Sequence, residues 1–491
     1  MQLVKAVIHQ ARRCETDPAV AFGGGIVDFR GLIGQTGAAI EAIRLLGLPS
    51  GALVLLDIRN PIHHLATIYA LALLGLKSAS VGASFTAQAA GGPRPAVFLT
   101  DRDDLNGTDI PLQRVDSRWF AFDAARPIDY AKLLAMPGFP DPDDVFRYVY
   151  SSGTTGRPKC VALTNRAMEA RIGHLMLSLS RRSSAGAEIN LMGFSTTLGI
   201  MAPLFTHTVG ALLCFPSSPA ETLHMTRLFN VTSINGAVVQ IKALVDALGS
   251  SPPPAGLRSV GVAAARVPPA LLKDIRARLC SHVISAYGST ELGALSFGTA
   301  ADLERGDGAT GHVLPWVKLE VVDDDRNPLP PGADGIIRAQ TDELAFYVDA
   351  EGNAAEMLED GWFYPGDYGR IEPDGLVVIT GRIGDIINRG GVVVAPDYVE
   401  EVLKQAPGVA DVAVVGAPGD DGLDKIWAAI IAPEEIDGEA VMAFARARLN
   451  ERSPDRLFQV ERFPRAESGK LQRNALRQQL QEMLAAGTSG G

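Results

Sequence analysis

The alternation of apolar runs with helical segments along the first third of the chain most constrains its fold. Residues 52–59 (ALVLLDIR) form an almost continuous apolar run, which is typical of a strand buried on both faces. Residues 65–74 predict a helix that ends at Gly75, and residues 77–81 (KSASV) predict the next strand. Because strands that alternate with helices usually run parallel, the sequence predicts an α/β fold with a largely parallel sheet.

The segments that flank this region predict further helices but no membrane span. One apolar helical face combines Leu3, Val4, Val7, Ile8 and Ala11. The interspersed charges are too close together for a secretory leader. Asp28 is placed to cap a helix over residues 32–46. The longest apolar run, residues 65–76, is too short to cross a bilayer.

Charge and cysteine content narrow the class of protein. The chain has 491 residues, with 45 Lys and Arg against 56 Asp and Glu, so its formal net charge is −11. This balance gives no electrostatic reason to expect a nucleic-acid partner. The four cysteines (Cys14, Cys160, Cys214 and Cys280) are far apart in the sequence and form no metal-binding or disulfide pattern. We therefore expect a soluble protein that handles small molecules in a reducing cytoplasm.

The composition of residues 84–144, rich in Pro, Gly and Asp, predicts loops with short strands such as AVFLT.

A change of pattern after Ile383 predicts two domains. Beyond Ile383, short strands are predicted around residues 412–415 and 427–431, with helices around residues 398–404 and 439–449. We expect a large α/β domain over residues 1–383 and a smaller α+β domain over residues 384–491, whose tail 485–491 is disordered.

A glycine- and hydroxyl-rich loop follows a predicted strand within residues 148–163, YVYSSGTTGRPKCVAL. Glycines allow backbone N–H groups to approach a phosphate closely, while hydroxyls and a lysine add donors and charge. The residues predicted to bind a polyphosphate are Ser151, Ser152, Gly153, Thr154, Thr155, Gly156 and Lys159. Pro158 stands where the familiar nucleotide-hydrolase loop needs a glycine, so that motif is absent. The alternative interpretation is a flexible surface linker.

The order of this loop resembles that of the adenylate-forming superfamily, which contains acyl-CoA synthetases, adenylation domains of peptide synthetases and luciferases. The family loop is roughly Thr-Ser-Gly-Thr-Thr-Gly-x-Pro-Lys-Gly. Ser151 replaces its first threonine and Cys160 its last glycine. The resemblance implies a large N-terminal α/β domain built from several subdomains and a small mobile C-terminal domain.

Residues 286–293 (AYGSTELG) are similar to the family segment that contacts the nucleotide. The resemblance implies that Tyr287 stacks on adenine, with Gly288 and Ser289 beside it, and that Thr290 bonds the α-phosphate. It also implies that Glu291 binds Mg²⁺, which suits the preference of this cation for oxygen ligands. Taken alone, Glu291 is also consistent with a helix-capping acid.

Later segments complete the resemblance. In GWFYPGDYGRI, Asp367 corresponds to the acid that holds the ribose hydroxyls, with Pro365 in place of the usual threonine. Arg382 is implied as a second ribose contact. In PRAESGKLQR, Lys470 matches the lysine that enters the site during adenylation.

The resemblance also implies how the small domain moves. Gly384 occupies the hinge position, where relatives have Asp or Lys, and glycine permits the required backbone change. Gly390 and Gly391 are implied to line the channel for a pantetheine thiol.

The carboxylate pocket departs most from the family. The stretch MGFSTTLG places Ser195 or Thr196 at its entrance. His207 lies in a similar segment, PLFTHTVG, but we interpret it as an ordinary helix residue. In GVAAARV, Ala264 and Ala265 are expected on the adenine side, and Ala263 with Gly288 beside the substrate.

Together these motifs imply an ATP- and Mg²⁺-dependent ligase that converts a carboxylic acid into acyl-AMP and pyrophosphate and then acylates the thiol of CoA. Lys470, Thr290 and Lys159 are the implied catalytic residues. Loading of a carrier protein remains open as a second acceptor, and a noncatalytic nucleotide-binding relative remains the alternative outside catalysis.

Overall fold

The computed structural model describes residues 3–82, 92–103, 109–151, 159–178, 186–306, 308–349, 357–383, 385, 387–389, 392–394, 396–419, 424–465, 471–485 and 487. The chain divides into two units, the first comprising Met1–Ala300, Leu314–Val317 and Gln340–Gly361. The second comprises Ala301–Val313, Lys318–Ala339 and Trp362–Gly491.

The helices are α1 (Leu3–Arg13), α2 (Phe29–Arg44), α3 (Pro61–Leu74), α4 (Tyr130–Leu134), α5 (Asn165–Ser178), α6 (Thr197–Thr208), α7 (Pro219–Leu228), α8 (Val238–Leu248), α9 (Pro269–Arg278), α10 (Ala300–Leu303), α11 (Pro396–Leu403), α12 (Gly438–Leu449) and α13 (Arg473–Ala485). Two 3₁₀ helices cover Ser117–Phe120 and Asn450–Arg452. None of the helices over the described residues is long and apolar enough to span a membrane.

The strands are β1 (Pro18–Phe22), β2 (Gly25–Asp28), β3 (Leu53–Asp57), β4 (Lys77–Ser80), β5 (Val97–Thr100), β6 (Leu112–Arg114), β7 (Val145–Ser151), β8 (Lys159–Thr164), β9 (Ala187–Asn190), β10 (Leu212–Phe215), β11 (Val231–Ala237), β12 (Ser259–Ala263), β13 (Val283–Ser289), β14 (Gly293–Thr299), β15 (Ala309–Val313), β16 (Val317–Val322), β17 (Gly335–Thr341), β18 (Phe346–Tyr347), β19 (Leu358–Glu359), β20 (Trp362–Phe363), β21 (Asp367–Ile371), β22 (Leu376–Arg382), β23 (Ile387–Arg389), β24 (Val392–Val394), β25 (Asp411–Pro418), β26 (Asp424–Ile431) and β27 (Arg456–Gln459).

Several helices have the buried faces, caps and ends that the sequence predicts. Helix α1 buries the predicted face of Leu3, Val4, Val7, Ile8 and Ala11. The Asp28 carboxylate caps α2 by accepting from the Gly31 N–H at 2.7 Å. Helix α3 ends at Gly75, whose φ of 70° lies in the left-handed region that glycine adopts without strain. It begins earlier than predicted, because the Asn60 side chain caps it and Pro61 is its first residue.

Two sheets form the framework of the first unit. One has seven strands in the order β18-β8-β7-β4-β3-β5-β6. Its strands from β7 to β6 run parallel, and β8 and β18 add antiparallel to this edge. The other sheet runs β14-β13-β12-β11-β9-β10-β1-β2 within this unit. Its strands from β13 to β1 are parallel, which confirms the predicted α/β architecture.

The second unit is mostly antiparallel. Strands β20, β17, β21, β22 and β15 pair in that order, and β16 pairs with β17. Farther along the chain, β25, β26 and β27 form a small sheet whose core is shared with α11 and α12. Helix α13 contributes Leu476 and Leu480 to a core on this sheet. The predicted strands and helices after Ile383 are confirmed, while the 383/384 boundary stays a prediction.

Candidate active site

The β13–β14 hairpin carries the predicted nucleotide motif. Strand β13 ends with Tyr287, Gly288 and Ser289, and its register with β14 shifts between Tyr287 and Gly288. A Cβ atom at Gly288 would lie 2.0 Å from the main-chain oxygen of Gly293. Glycine is therefore required at position 288 for the two strands to approach this closely. The Ser289 hydroxyl accepts from the Leu292 N–H at 3.2 Å and so closes the turn that contains Thr290 and Glu291.

Glu291 is buried in the turn of this hairpin, with 8% of its surface exposed. The Tyr347 hydroxyl donates to its Oε1 at 2.7 Å. The Glu291 carbonyl oxygen accepts from the Ala345 N–H at 2.7 Å and from the Arg171 guanidinium at 3.0 Å. Both the main chain and the carboxylate of Glu291 are therefore held by hydrogen bonds, which is unlike an exposed helix cap.

Lys159 lies over the face of the Tyr347 ring. It is the first residue of β8, where it pairs with Ser151 of β7, and its Nζ lies 4.5 Å from the centre of that ring. Strand β18 adds to β8 with Tyr347 opposite Val161, which sets the tyrosine beside the lysine. The structure thus brings Lys159 and Glu291 together through Tyr347, a residue that the sequence motifs did not identify.

Arg171 and His174 of α5 form a buried ion-pair cluster with Glu343, next to the turn that carries Glu291. The Arg171 side chain is fully buried and also donates to the Glu343 carbonyl oxygen at 2.8 Å. Its Nε lies 3.7 Å from the Glu343 carboxylate, whose other oxygen is hydrogen-bonded to the His174 ring. Burial lowers the pKa of Arg171 to about 10, which leaves the guanidinium charged at neutral pH. Burial raises the pKa of Glu343, while its His174 hydrogen bond and Arg171 act in the opposite direction.

The predicted adenine-side segment leaves the carboxyl edge of the parallel sheet. Ala263 ends β12, whose register with β13 sets Val262 beside Ser285. The segment that follows therefore lies next to the end of β13 that carries Tyr287. Ala264 has a φ of 69°, a left-handed conformation that costs a non-glycine residue roughly 1–2 kcal/mol. Such ends of parallel strands are where α/β proteins bind ligands.

The predicted entrance to the carboxylate pocket lies in the segment between β9 and α6. The Thr196 hydroxyl caps α6 by accepting from the Gly199 N–H at 3.0 Å, and it donates to the Gly193 carbonyl at 2.9 Å. Neighbouring main-chain groups are anchored as well, since the Phe194 carbonyl accepts from buried Arg147 at 2.9 Å. Thr196 thus has a structural role, and a pocket role for Ser195 and Thr196 stays a prediction.

Residue 191 attaches the start of this segment to the sheet. The Leu191 N–H donates to the Asn235 carbonyl at 2.8 Å, and the Leu191 carbonyl accepts from the Gln240 amide at 2.7 Å. These bonds fix the path of the main chain as it leaves β9.

His207 lies inside α6 and is fully buried, which confirms its interpretation as a helix residue. Tyr69 donates to its Nδ1 at 2.8 Å, and its Nε2 donates to the Ala19 carbonyl at 3.1 Å. Burial lowers its pKa to about 4.

The two predicted ribose contacts lie together in the second unit. Asp367 and Arg382 are cross-strand partners at the ends of β21 and β22. The Arg382 Nε lies 3.1 Å from the Asp367 Oδ1, and the aspartate is only 4% exposed. An ion pair of this kind fixes the direction of the carboxylate, which a ribose-binding acid requires.

Several predicted residues lie outside the residues that the structure describes. They are Ser152, Gly153, Thr154, Thr155 and Gly156 of the phosphate loop, Gly384, Gly390, Gly391 and Lys470, together with all of the tail 485–491 except Ala485 and Gly487. Ser151 is described only as a β7 residue. The roles of all these residues stay predictions.

Two family models match the chain and define its class. The model of the AMP-binding enzyme matches residues 7–345, and that of the AMP-binding enzyme C-terminal domain matches residues 398–470. The chain therefore belongs to the AMP-binding enzyme family, and the predicted membership of the adenylate-forming superfamily is confirmed. The predicted class, an AMP-dependent ligase of the acyl-CoA synthetase type, is confirmed with it.

Individual relatives agree with this class. The chain is 29% identical over 364 residues to 4-chlorobenzoate–CoA ligase of an Arthrobacter species, which covers 70% of this chain and 68% of that protein. It is 27% identical over 510 residues to the fatty acid–[acyl-carrier-protein] ligase ScoC of Streptomyces coeruleorubidus, covering 97% of this chain and 96% of that protein. The structure of O-succinylbenzoate coenzyme A synthetase of Bacillus subtilis, in complex with ATP and magnesium, superposes with a TM-score of 0.83 at 20% identity and covers 96% of this chain and 99% of that one.

Proposed function

We propose that this protein activates a carboxylic acid with Mg·ATP, forming acyl-AMP and pyrophosphate, and then transfers the acyl group to the thiol of CoA with release of AMP. The observation that carries the proposal is the contact of Tyr347 with both Glu291 and Lys159. A buried acid at the hydroxyl of one tyrosine and a cation over the face of the same ring suit a ligand that carries both a divalent cation and phosphates.

Glu291 fits a magnesium ion that arrives with its nucleotide. Among the described residues, no group of three or more His, Cys, Asp or Glu side chains is arranged to hold a metal by itself. Mg²⁺ is commonly bound by one or two carboxylates together with substrate phosphates, so a single buried glutamate is a sufficient protein contribution. When bound, the cation neutralises charge on the phosphates.

The reaction needs charge stabilisation more than it needs a nucleophile on the protein. The carboxylate attacks the α-phosphorus, the bond to the β-phosphate oxygen breaks, and pyrophosphate leaves. Thr290 would donate to the α-phosphate, and Lys159 would hold the departing pyrophosphate. Lys470 would neutralise charge between the carboxylate and the α-phosphate. Asp367, directed by Arg382, would fix the ribose and so place the reacting phosphate.

Two thiols are candidate acceptors of the acyl group, that of CoA and that of a carrier phosphopantetheine. The Arthrobacter relative is named for CoA and the Streptomyces relative for an acyl carrier protein. We propose CoA because several of the relatives are named as CoA ligases, and a carrier phosphopantetheine is the second candidate because the ScoC match spans almost the whole chain. The substrate class proposed is an aryl or short-to-medium-chain acid, since the two relatives are named for a chlorobenzoate and a fatty acid.

Exchange of labelled pyrophosphate into ATP tests this function. We expect exchange that depends on Mg²⁺ and on one member of a panel of aryl and aliphatic acids, followed by thioester formation when CoA is added. Parallel reactions with a phosphopantetheinylated carrier protein separate the two acceptors. Tight ATP binding without exchange across the panel would contradict the proposal and favour a noncatalytic nucleotide-binding role.

A further inference from the structure

Tyr347 contacts the two charged side chains that the proposed function assigns to the metal and the phosphates. Its hydroxyl donates to the Glu291 Oε1 at 2.7 Å, and the Lys159 Nζ lies 4.5 Å from its ring centre. One side chain thus restrains an acid through its polar end and a cation through its aromatic face.

The position of Tyr347 is fixed by its main chain. It lies in β18, opposite Val161 of β8, two residues after Lys159. Its N–H lies 2.8 Å from the Met357 Sδ, and Ala345 two residues earlier bonds the Glu291 carbonyl. The strand that carries the tyrosine is therefore tied both to the strand of the lysine and to the turn of the glutamate.

Arg171 makes this attachment rigid. Its guanidinium donates to the main-chain oxygens of Glu291 and Glu343, at 3.0 and 2.8 Å. It thereby joins the hairpin turn to the segment that leads into β18. Because these bonds are made by a buried side chain, the distance between the tyrosine and the glutamate is set before any ligand arrives.

We propose that Tyr347 is a positioning residue that orients the Glu291 carboxylate toward Mg²⁺ and holds Lys159 toward the phosphates. The inference rests on the proposed function. Mg²⁺ requires a nearly octahedral arrangement of oxygens, so a carboxylate held in one orientation binds it better than one that rotates. The aromatic face restrains the lysine through a cation–π contact.

Two substitutions separate the two contacts. Tyr347→Phe keeps the ring under Lys159 and removes the hydroxyl that restrains Glu291. Tyr347→Leu removes both contacts. The measurement is ATP binding by titration calorimetry at a series of Mg²⁺ concentrations, with thermal unfolding of each variant recorded alongside.

For Tyr347→Phe we expect the Mg²⁺ concentration that half-saturates ATP binding to rise about tenfold, the lower end of the effect of removing a group that orients a metal ligand. ATP affinity at saturating Mg²⁺ should stay close to that of the parent. Tyr347→Leu should lower that saturating affinity as well, by roughly two- to fivefold, since the lysine loses its aromatic contact.

Tyr69→Phe is the matched control, because it also removes one buried tyrosine hydrogen bond, in this case to His207. It should lower thermal stability and leave the Mg²⁺ dependence unchanged. A Tyr347→Phe protein with the Mg²⁺ dependence of the parent, or with equally weakened ATP binding at every Mg²⁺ concentration, would overturn the role of Tyr347 while leaving the proposed function standing. A parent protein that binds no Mg·ATP would overturn both.

Discussion

At the scale of single residues, Lys470 distinguishes the two proposed half-reactions. In the proposed reaction, its charge acts only while negative charge develops between the carboxylate and the α-phosphate. Lys470→Ala should therefore reduce pyrophosphate exchange by about two to three orders of magnitude, the effect of losing one transition-state donor, with ATP binding nearly intact. Thioester formation from preformed acyl-AMP, measured separately, should stay close to the parent rate.

The comparison of the two rates decides this prediction. A lysine on an unrelated surface would alter neither step, and equal loss in both steps by a folded variant would contradict the assumption that the lysine leaves the site after adenylation. Lys425→Ala provides a control, since Lys425 lies in β26 outside the predicted site residues.

The residues that sequence motifs identified and those that they missed differ in a physical way. Glu291, Asp367 and Arg382 stand in motifs whose local order is itself informative. Tyr347 and Arg171 act through partners far away in sequence, since Tyr347 contacts Glu291 across 56 positions and Arg171 contacts Glu343 across 172. Only the tertiary structure shows that a two-residue strand and an arginine of α5 both contact the turn at Glu291.

At the scale of elements, Arg473 connects α13 with other parts of the C-terminal region. It donates to the Val414 carbonyl of β25 at 2.7 Å and to the carboxylates of Asp397 and Glu400 on α11. Its Nε also lies 3.4 Å from Asp385. The three carboxylates raise the pKa of Arg473 well above its usual value, although burial opposes this effect. The arginine compensates acids that would otherwise repel one another.

Arg473→Met should therefore destabilise this region by about 1–3 kcal/mol, because the cluster is only partly buried, with the Arg473 side chain 13% exposed and that of Asp397 42%. Denaturant unfolding followed by tryptophan fluorescence measures the change, with Trp427 of β26 as the reporter in a parent whose other three tryptophans are replaced by Phe. Arg446→Met, which alters an exposed arginine of α12, is the control and should change stability by less than about 0.5 kcal/mol. Equal stability of the two variants would show that the cluster contributes nothing net.

Elements were predicted best where the sequence carries a periodic face and a cap. The five-residue face of α1, the Asp28 cap of α2 and the glycine end of α3 were all visible in the sequence. The hairpin turn at Glu291 and the short strand β18 were not, because their geometry depends on a glycine contact and on pairing with β8. Local patterns thus predict the framework, while the details of the site come from packing between elements.

At the scale of the whole molecule, two buried histidines predict acid sensitivity. Burial lowers the pKa of His64 and of His207 to about 4 each, against an ordinary value near 6.5. For His64, nearby Arg147 also lowers the pKa, while the Ile58 hydrogen bond and Asp101 oppose this effect. Below about pH 6.5 the unfolded chain binds protons that the folded chain excludes, so stability falls as the pH falls toward 4.

Each histidine should lower the free energy of unfolding by roughly 2 kcal/mol between pH 7 and pH 5. Unfolding measured across this range should show a shallower slope for His207→Gln than for the parent, even though the variant is less stable at pH 7. His224→Gln, at an exposed position of α7, should keep the slope of the parent. An unchanged slope in His207→Gln would contradict a neutral buried imidazole.

The anchoring of the segment between β9 and α6 has a consequence for engineering this protein. The segment is attached through main-chain atoms, at Leu191 and at Phe194, to Asn235, Gln240 and Arg147, none of which lies within it. A designer can therefore exchange residue 195 and keep these attachments, provided that the Phe194 ring, which packs on His64 and Phe215, and the capping hydroxyl of Thr196 are retained. A library at this position would vary one side chain on a constant backbone and so test the predicted pocket role of Ser195.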